Sequence, residues 1–275
     1  MTDFRIFELM NRIEAMRSQE ESISLSHNYF LKSHLVDAGS RSAIATWCDQ
    51  VADTLSFSRE TVGIAMLYFD RYLSSGKGQS GDSLQSKDQF QLAAIASFYL
   101  AIKLNEPIVM GIDHMSRMTR GFYSEEEIAT MEQDILFSLE WRVSSPTPMD
   151  FVRHLLELLP ESVHPSCAEG MLQSAKMKME FAKSFIFFSS HKPSIVGVGC
   201  IMCVMSETKN LTQTELTEFC IRMSTAMHYE QLPLGVLDVQ QRFLMQSKPL
   251  ESIEEKPCNT IDDGSFSPVC VSQVA

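Results

Sequence analysis

Seven histidines, seven cysteines and 35 acidic residues are the groups that could carry chemistry in this 275-residue chain. The histidines (His27, His34, His114, His154, His164, His191 and His228) stand in no H-E-x-x-H or comparable ligand pattern. Cys200 and Cys203 form one C-x-x-C, a spacing used by metal and redox sites. Their flanks, GCIMCVM, are those of a hydrophobic helix, and no second pair follows at ligand spacing. With Cys48, Cys167, Cys220, Cys258 and Cys270 the cysteine count is odd, which suits reduced core thiols. There is no phosphate-binding loop, nucleophile elbow or kinase glycine loop. Glu125, Glu126 and Glu127 are explained by a helix N-terminus, and Asp262 and Asp263 by a solvated charge run. An enzyme has no residue constellation here, and neither a cofactor nor a metal is expected.

Two charges stand apart from this background. Lys103 closes an otherwise apolar helical stretch, where an ammonium without a partner is costly. Glu132 sits beside the core face marked by Met131 and Ile135 on the next strong helix.

The elements that must position them read as helices. Phe4, Phe7, Met10, Ile13 and Met16 recur at three-residue steps, and Ile44, Trp47, Val51 and Leu55 follow i, i+3, i+7, i+11. Further stripes run through Val62–Leu73, Leu92–Leu100 and Ile128–Leu139. Ser124 and Glu127 supply a capping box, as do Thr212 and Glu215, while Thr147, Pro148 and Asp150 make a strong helix start. The glycine- and serine-rich SSGKGQSGDSLQ is expected to be a flexible surface loop. Ser144, Ser145 and Pro146 read as a linker, and further helices are expected near 165–188, 193–206, 212–228 and 234–246. No stretch has convincing strand alternation. The expected organisation is an N-terminal helical segment (1–37), two groups of about five helices (38–143 and 144–247) and a disordered acidic tail (248–275).

Composition bounds the function classes. Hydrophobic residues make up 44% and charged residues 21%, as in a globular protein. A net charge of -12 opposes binding to phosphate backbones, so nucleic acid is not an expected partner. Ile195–Met205 is too short to span a bilayer, and Met1–Met16 is broken by charges where a signal peptide needs an apolar run. No membrane partner is expected, and the chain is expected in the nucleus and cytoplasm.

The stretch from Arg41 to Trp141 resembles the cyclin box. The matching pieces are RSAIATW, SRETVGIAMLYFDRYLS (Ser58–Ser74), QLAAIASFYLAIKLNE (Gln91–Glu106) and EEIATMEQDILFSLEWRV (Glu126–Val143). TPMDFVRHLLELLP and HKPSIVGVGCIMCV resemble the second cyclin fold, and LEWRV followed by PTP looks most like D-type (G1) cyclins. The resemblance implies an all-α protein of two consecutive five-helix cyclin folds. It implies a regulatory subunit that activates a cyclin-dependent protein kinase, at G1/S if the D-type likeness holds; the alternative is a cyclin-fold adaptor or transcription-related scaffold without kinase activation. Lys103 and Glu132 would then stand together and bond backbone groups of the kinase αC helix, with Leu104, Trp141 and Val143 adding apolar contact. Arg41 and Asp70 would tie the first box helix to the second. Arg41, Ile44, Trp47 and Gln91 match a patch that docks arginine-x-leucine substrates, although Ser40 and Thr46 depart from the family pattern. Ser267, before Pro268, is a minimal site for a proline-directed kinase, and its phosphate would suit a basic pocket on a ubiquitin ligase.

Overall fold

In the computed structural model the described residues are 2–21 and 29–246. They form helices α1 (Thr2–Glu21), α2 (Ala38–Leu55), α3 (Arg59–Ser75), α4 (Ser80–Gln85), α5 (Lys87–Asn105), α6 (Ile112–Met118), α7 (Glu125–Ser138), α8 (Pro148–Leu156), α9 (Pro165–Ala182), α10 (Ile186–Ser189), α11 (Pro193–Glu207), α12 (Gln213–Ala226) and α13 (Leu234–Gln246). A 3₁₀ turn at Tyr29–Lys32 precedes α2, and no strand occurs among the described residues. The expected tail at 248–275, with Ser267, lies outside them.

The chain divides into two compact units. One holds residues 29–141; the other joins α1 to residues 142–245. An N-terminal segment of its own, at 1–37, is therefore not what the structure shows. Leu9 and Ile13 of α1 are buried in one core with Phe151, Leu155, Ile201 and Phe219, while Phe4 and Phe7 of the expected apolar stripe are exposed; the 3₁₀ turn belongs to the first unit.

In the first unit α5 is the central helix. Phe90 and every residue from Leu92 to Ile102 are buried, as expected of a helix that is apolar all round. It packs on α3, α4 and α7, and its alanines (93, 94, 96 and 101) let those neighbours come close. The glycine-rich connection after α3 is not a loose loop, because its second half forms α4 with Leu84 buried. Ser33 donates to the Leu84 carbonyl at 2.5 Å. Asp134 of α7 accepts from the Gln79 amide at 2.8 Å and from the Tyr72 hydroxyl at 2.7 Å. Gly78 has φ +54°, and a Cβ there would lie 2.1 Å from the Asp134 carboxylate. The glycine thus serves a left-handed turn and a close approach, not flexibility.

In the second unit α11 is central. A Cβ at Gly197 would meet that of Phe151 at 2.9 Å, and one at Gly199 would meet Val239 Cγ1 at 2.5 Å. These glycines let α8 and α13 pack closely on either side. The N-terminus of α11 has no side-chain cap from its own sequence, and Pro193 has no N–H to satisfy. Glu20 of α1 supplies the cap: it accepts from the Ser194 amide at 2.9 Å and from its hydroxyl at 2.5 Å. Glu21 pairs beside it with Lys192 at 2.5 Å.

Burial raises the pKa of the Glu20 carboxyl above its ordinary value, although the Ser194 bonds pull the other way. The folded state therefore takes up this proton more readily than the unfolded chain. The stabilisation from protonation is present below the unfolded pKa and is lost as pH rises through the folded one. Glu20→Gln keeps an acceptor for the Ser194 amide without the charge. Its stability relative to wild type should increase as pH rises from about 5 to 7, when urea midpoints are compared at each pH. A difference that does not change with pH would show that Glu20 is ionised equally in both states.

Candidate functional site

Lys103 lies in the last turn of α5 because the apolar run of that helix ends there. Glu132 lies in the middle of α7, whose register is set by the Ser124–Glu127 capping box and by the buried Ile128, Met131 and Ile135. Packing of α7 on α5 brings the two charges together: Lys103 Nζ donates to Glu132 Oε1 at 2.6 Å. The ammonium also lies 5.1 Å from the centre of the Tyr99 ring, one turn back along α5.

The pair is asymmetric, with the lysine side chain 42% exposed and the glutamate 10%. Glu132 is thus a buried carboxylate, not the surface group its sequence position allows. Among the described residues its Oε2 accepts no hydrogen bond, and the Lys103 ammonium donates one of its three N–H groups to a carboxylate. The pair therefore keeps both a donor and an acceptor for an incoming partner. Backbone carbonyl and amide groups would satisfy both.

Apolar side chains flank this pair along both helices. Leu104 follows Lys103 and is exposed. Leu136, one turn beyond Glu132 on the same face, is half-buried. It was not singled out from sequence, although its i+4 spacing from Glu132 was visible there. Trp141 follows the end of α7 and is 70% exposed. Glu140 and Trp141 both hold left-handed backbone, at φ +53° and +60°. The Trp141 amide closes the turn on the Leu136 carbonyl at 2.9 Å. Two successive non-glycine residues in this region are costly, and Glu140 is tied down by Lys77 at 2.6 Å. Val143 is half-buried and belongs to the other unit.

Arg41 and Asp70 form a second, fully internal pair. The guanidinium meets the carboxylate through Nε at 2.8 Å and a terminal nitrogen at 2.6 Å, and both side chains are excluded from solvent. Tyr29 adds its hydroxyl to the same carboxylate at 2.8 Å. Burial alone would lower the arginine pKa; the Asp70 carboxylate outweighs it and holds the guanidinium firmly charged. Burial, reinforced by Asp70, raises the Tyr29 phenol. The cluster joins α2, α3 and the 3₁₀ turn and has no open face for a ligand.

The residues of the expected substrate-docking patch are largely turned inward. Arg41 is committed to Asp70, Ile44 is buried, and the Trp47 residue is only 6% exposed, edge-on to Phe98 with ring centres 6.3 Å apart. Gln91 accepts from the Tyr123 hydroxyl at 3.2 Å. The physical reason is the stripe itself. Ile44 and Trp47 share a helix face with Val51, which is wholly buried, so the face that carries them points into the core.

Cys200 and Cys203 are buried in α11, and burial raises both thiols above their ordinary pKa. Among the described residues no group of three or more histidine, cysteine or acidic side chains could hold a metal ion. No helix among them is long and apolar enough to cross a membrane.

Comparison with known proteins bears on this arrangement. Residues 11–144 match the model of the cyclin N-terminal domain. The chain is 24% identical over 268 residues to the G1/S-specific cyclin-D1 of Danio rerio, covering 91% of this chain and 89% of that protein. It is 26% identical over 218 residues to the G1/S-specific cyclin-D1 of Homo sapiens, covering 77% and 71%. For the Mus musculus protein the figures are 27% over 195 residues, 70% and 63%. The X-ray structure of a viral cyclin from herpesvirus saimiri superposes with a TM-score of 0.63 at 14% identity, over 86% of this chain and 99% of that one. A chain of the CAK complex of Chaetomium thermophilum bound to ATP-gamma-S gives 0.53 at 14% identity, over 88% and 74%. At this identity both likenesses concern the fold.

Proposed function

We propose that this chain, which belongs to the cyclin family, binds a cyclin-dependent protein kinase and activates it at the G1/S transition. Cyclins are regulatory subunits, so the chemistry would reside in the kinase. The observation that carries the reading is the Lys103–Glu132 pair, half-exposed at its lysine, with free hydrogen-bonding capacity and apolar side chains on both helices beside it. An ammonium and a carboxylate 2.6 Å apart suit a helix that presents backbone carbonyl and amide groups at one place, as the αC helix of a kinase does. Leu104, Leu136 and Trp141 supply apolar area around that contact. Docking αC moves its glutamate toward the lysine that grips ATP, so binding energy is spent on a conformational equilibrium of the kinase. The G1/S assignment is supported by the cyclin-D1 names of the relatives, and the nucleus and cytoplasm are the compartments that go with it.

The test uses a panel of purified cyclin-dependent kinase catalytic subunits with histone phosphorylation as readout. Wild type should bind and activate at least one of them. Lys103→Ala and Glu132→Ala should each weaken binding by about 30-fold or more, because each leaves a partner charge unpaired in a desolvated contact. Far-UV circular dichroism should show both variants folded. Wild-type potency in folded variants would remove the pair from the interface. Failure of the wild type to bind any kinase would favour a cyclin-fold adaptor.

A further inference from the structure

The residues that follow Lys103 and Leu104 form a short connection to α6, and its tip is apolar. Ile108 is 61% exposed and Val109 94% exposed. A fully solvated valine at the tip of a connection is ordinary when it stands alone. Here it adjoins a second exposed aliphatic side chain, and the two stand four and five positions after the exposed Leu104.

The tip is also held at both ends. Glu106 accepts from the Ser58 amide at 2.9 Å and bonds the Thr61 hydroxyl, which fixes the start of the connection to the N-terminus of α3. Pro107 restricts the backbone next to it. Met110, on the far side, is buried, and Gly111 is the N-cap of α6. Neither Ile108 nor Val109 is needed for this anchoring. Both are β-branched, with few rotamers to lose on contact. An exposed apolar pair that is pre-positioned and does no work for the fold has the properties of an interface anchor, not of a flexible loop.

Resting on the kinase-binding reading of Lys103 and Glu132, we propose that Ile108 and Val109 extend the same interface. They would contact an apolar patch of the kinase beside its αC helix and so contribute to the choice among kinases. Continuity with the Lys103 contact favours this occupant. Glu106, whose carboxylate anchors the tip, lies three positions after Lys103 on the same chain end, so a partner docked on Lys103 and Leu104 is brought to the connection.

The experiment compares the full chain with the double variant Ile108→Ser/Val109→Ser, using the kinase of the panel that the wild type binds. The variant should keep its thermal midpoint, because both side chains are solvated in the free protein. Its affinity should fall about tenfold, the loss of roughly half the burial of two aliphatic side chains. Hydrogen exchange in residues 106–111 should slow when the kinase is added to wild type. A change below twofold together with unaltered exchange overturns the proposal. So does an effect traced to self-association, seen as a concentration-dependent mass of the wild type that the variant lacks. If Lys103→Ala weakens binding and the serine pair does not, this extension fails while the kinase reading stands. If neither variant has an effect, the Lys103–Glu132 pair and this extension both lie outside the contact with the bound kinase.

Discussion

Arg41→Ala should lower the stability of the protein by about 3–5 kcal/mol, and Asp70→Ala by a similar amount, because each strands a charge in the interior. The pair is bidentate and wholly shielded from water, so neither remaining charge reaches solvent without unfolding. Tyr29→Phe removes only one neutral donor from the Asp70 carboxylate and should cost far less, on the order of 1–2 kcal/mol. Replacing both charges together, Arg41→Met with Asp70→Leu, should recover much of the single-variant loss, since the desolvation of two ions disappears with their attraction. Urea unfolding followed by circular dichroism gives the order of the four variants. A double variant as unstable as the sum of the singles would show that the pair is worth more than apolar packing in its place. As the unit containing the pair also carries Lys103 and Glu132, kinase activation should fall in proportion to the unfolded fraction.

Trp47→Ala should cost about 3–5 kcal/mol through a different cause, the loss of a large core side chain and the cavity it leaves. The indole packs edge-on against Phe98, itself completely buried in α5, so the cavity opens between two helices of the core. Trp47→Phe fills most of that space and should cost much less. In kinase assays the alanine variant should depress phosphorylation of docking-motif substrates and of short peptides equally, through loss of folded protein. A selective loss of docking-motif substrates at unchanged stability would mean that Trp47 turns outward when substrate binds.

What was legible in the sequence was local. Capping boxes at Ser124 and Thr212 and the helix start at Thr147 act through side chains three residues apart, and all three form, the last also as a capping box with Asp150. The unbroken apolar run of α5 marks it as a central helix before any neighbour is known. Lys103 and Glu132 stood out as charges in apolar company. The periodicity of Ile44, Trp47 and Val51 marked a core face, and all three are buried.

What the tertiary structure decided was which distant groups meet. Lys103 and Glu132 are 29 residues apart, and Glu20 and Ser194 are 174 residues apart. Hydrophobic periodicity carries no information about partners at that separation. It could not say that α1 packs with the second unit, because an apolar stripe specifies that a face is covered and not what covers it. It could not turn the glycine-rich connection after α3 into α4, because the contacts that order it come from Ser33 and Asp134 on other elements. Nor could it fix the solvent exposure of Trp141 or Val109, since exposure is set by what fails to pack against a residue once every helix is in place.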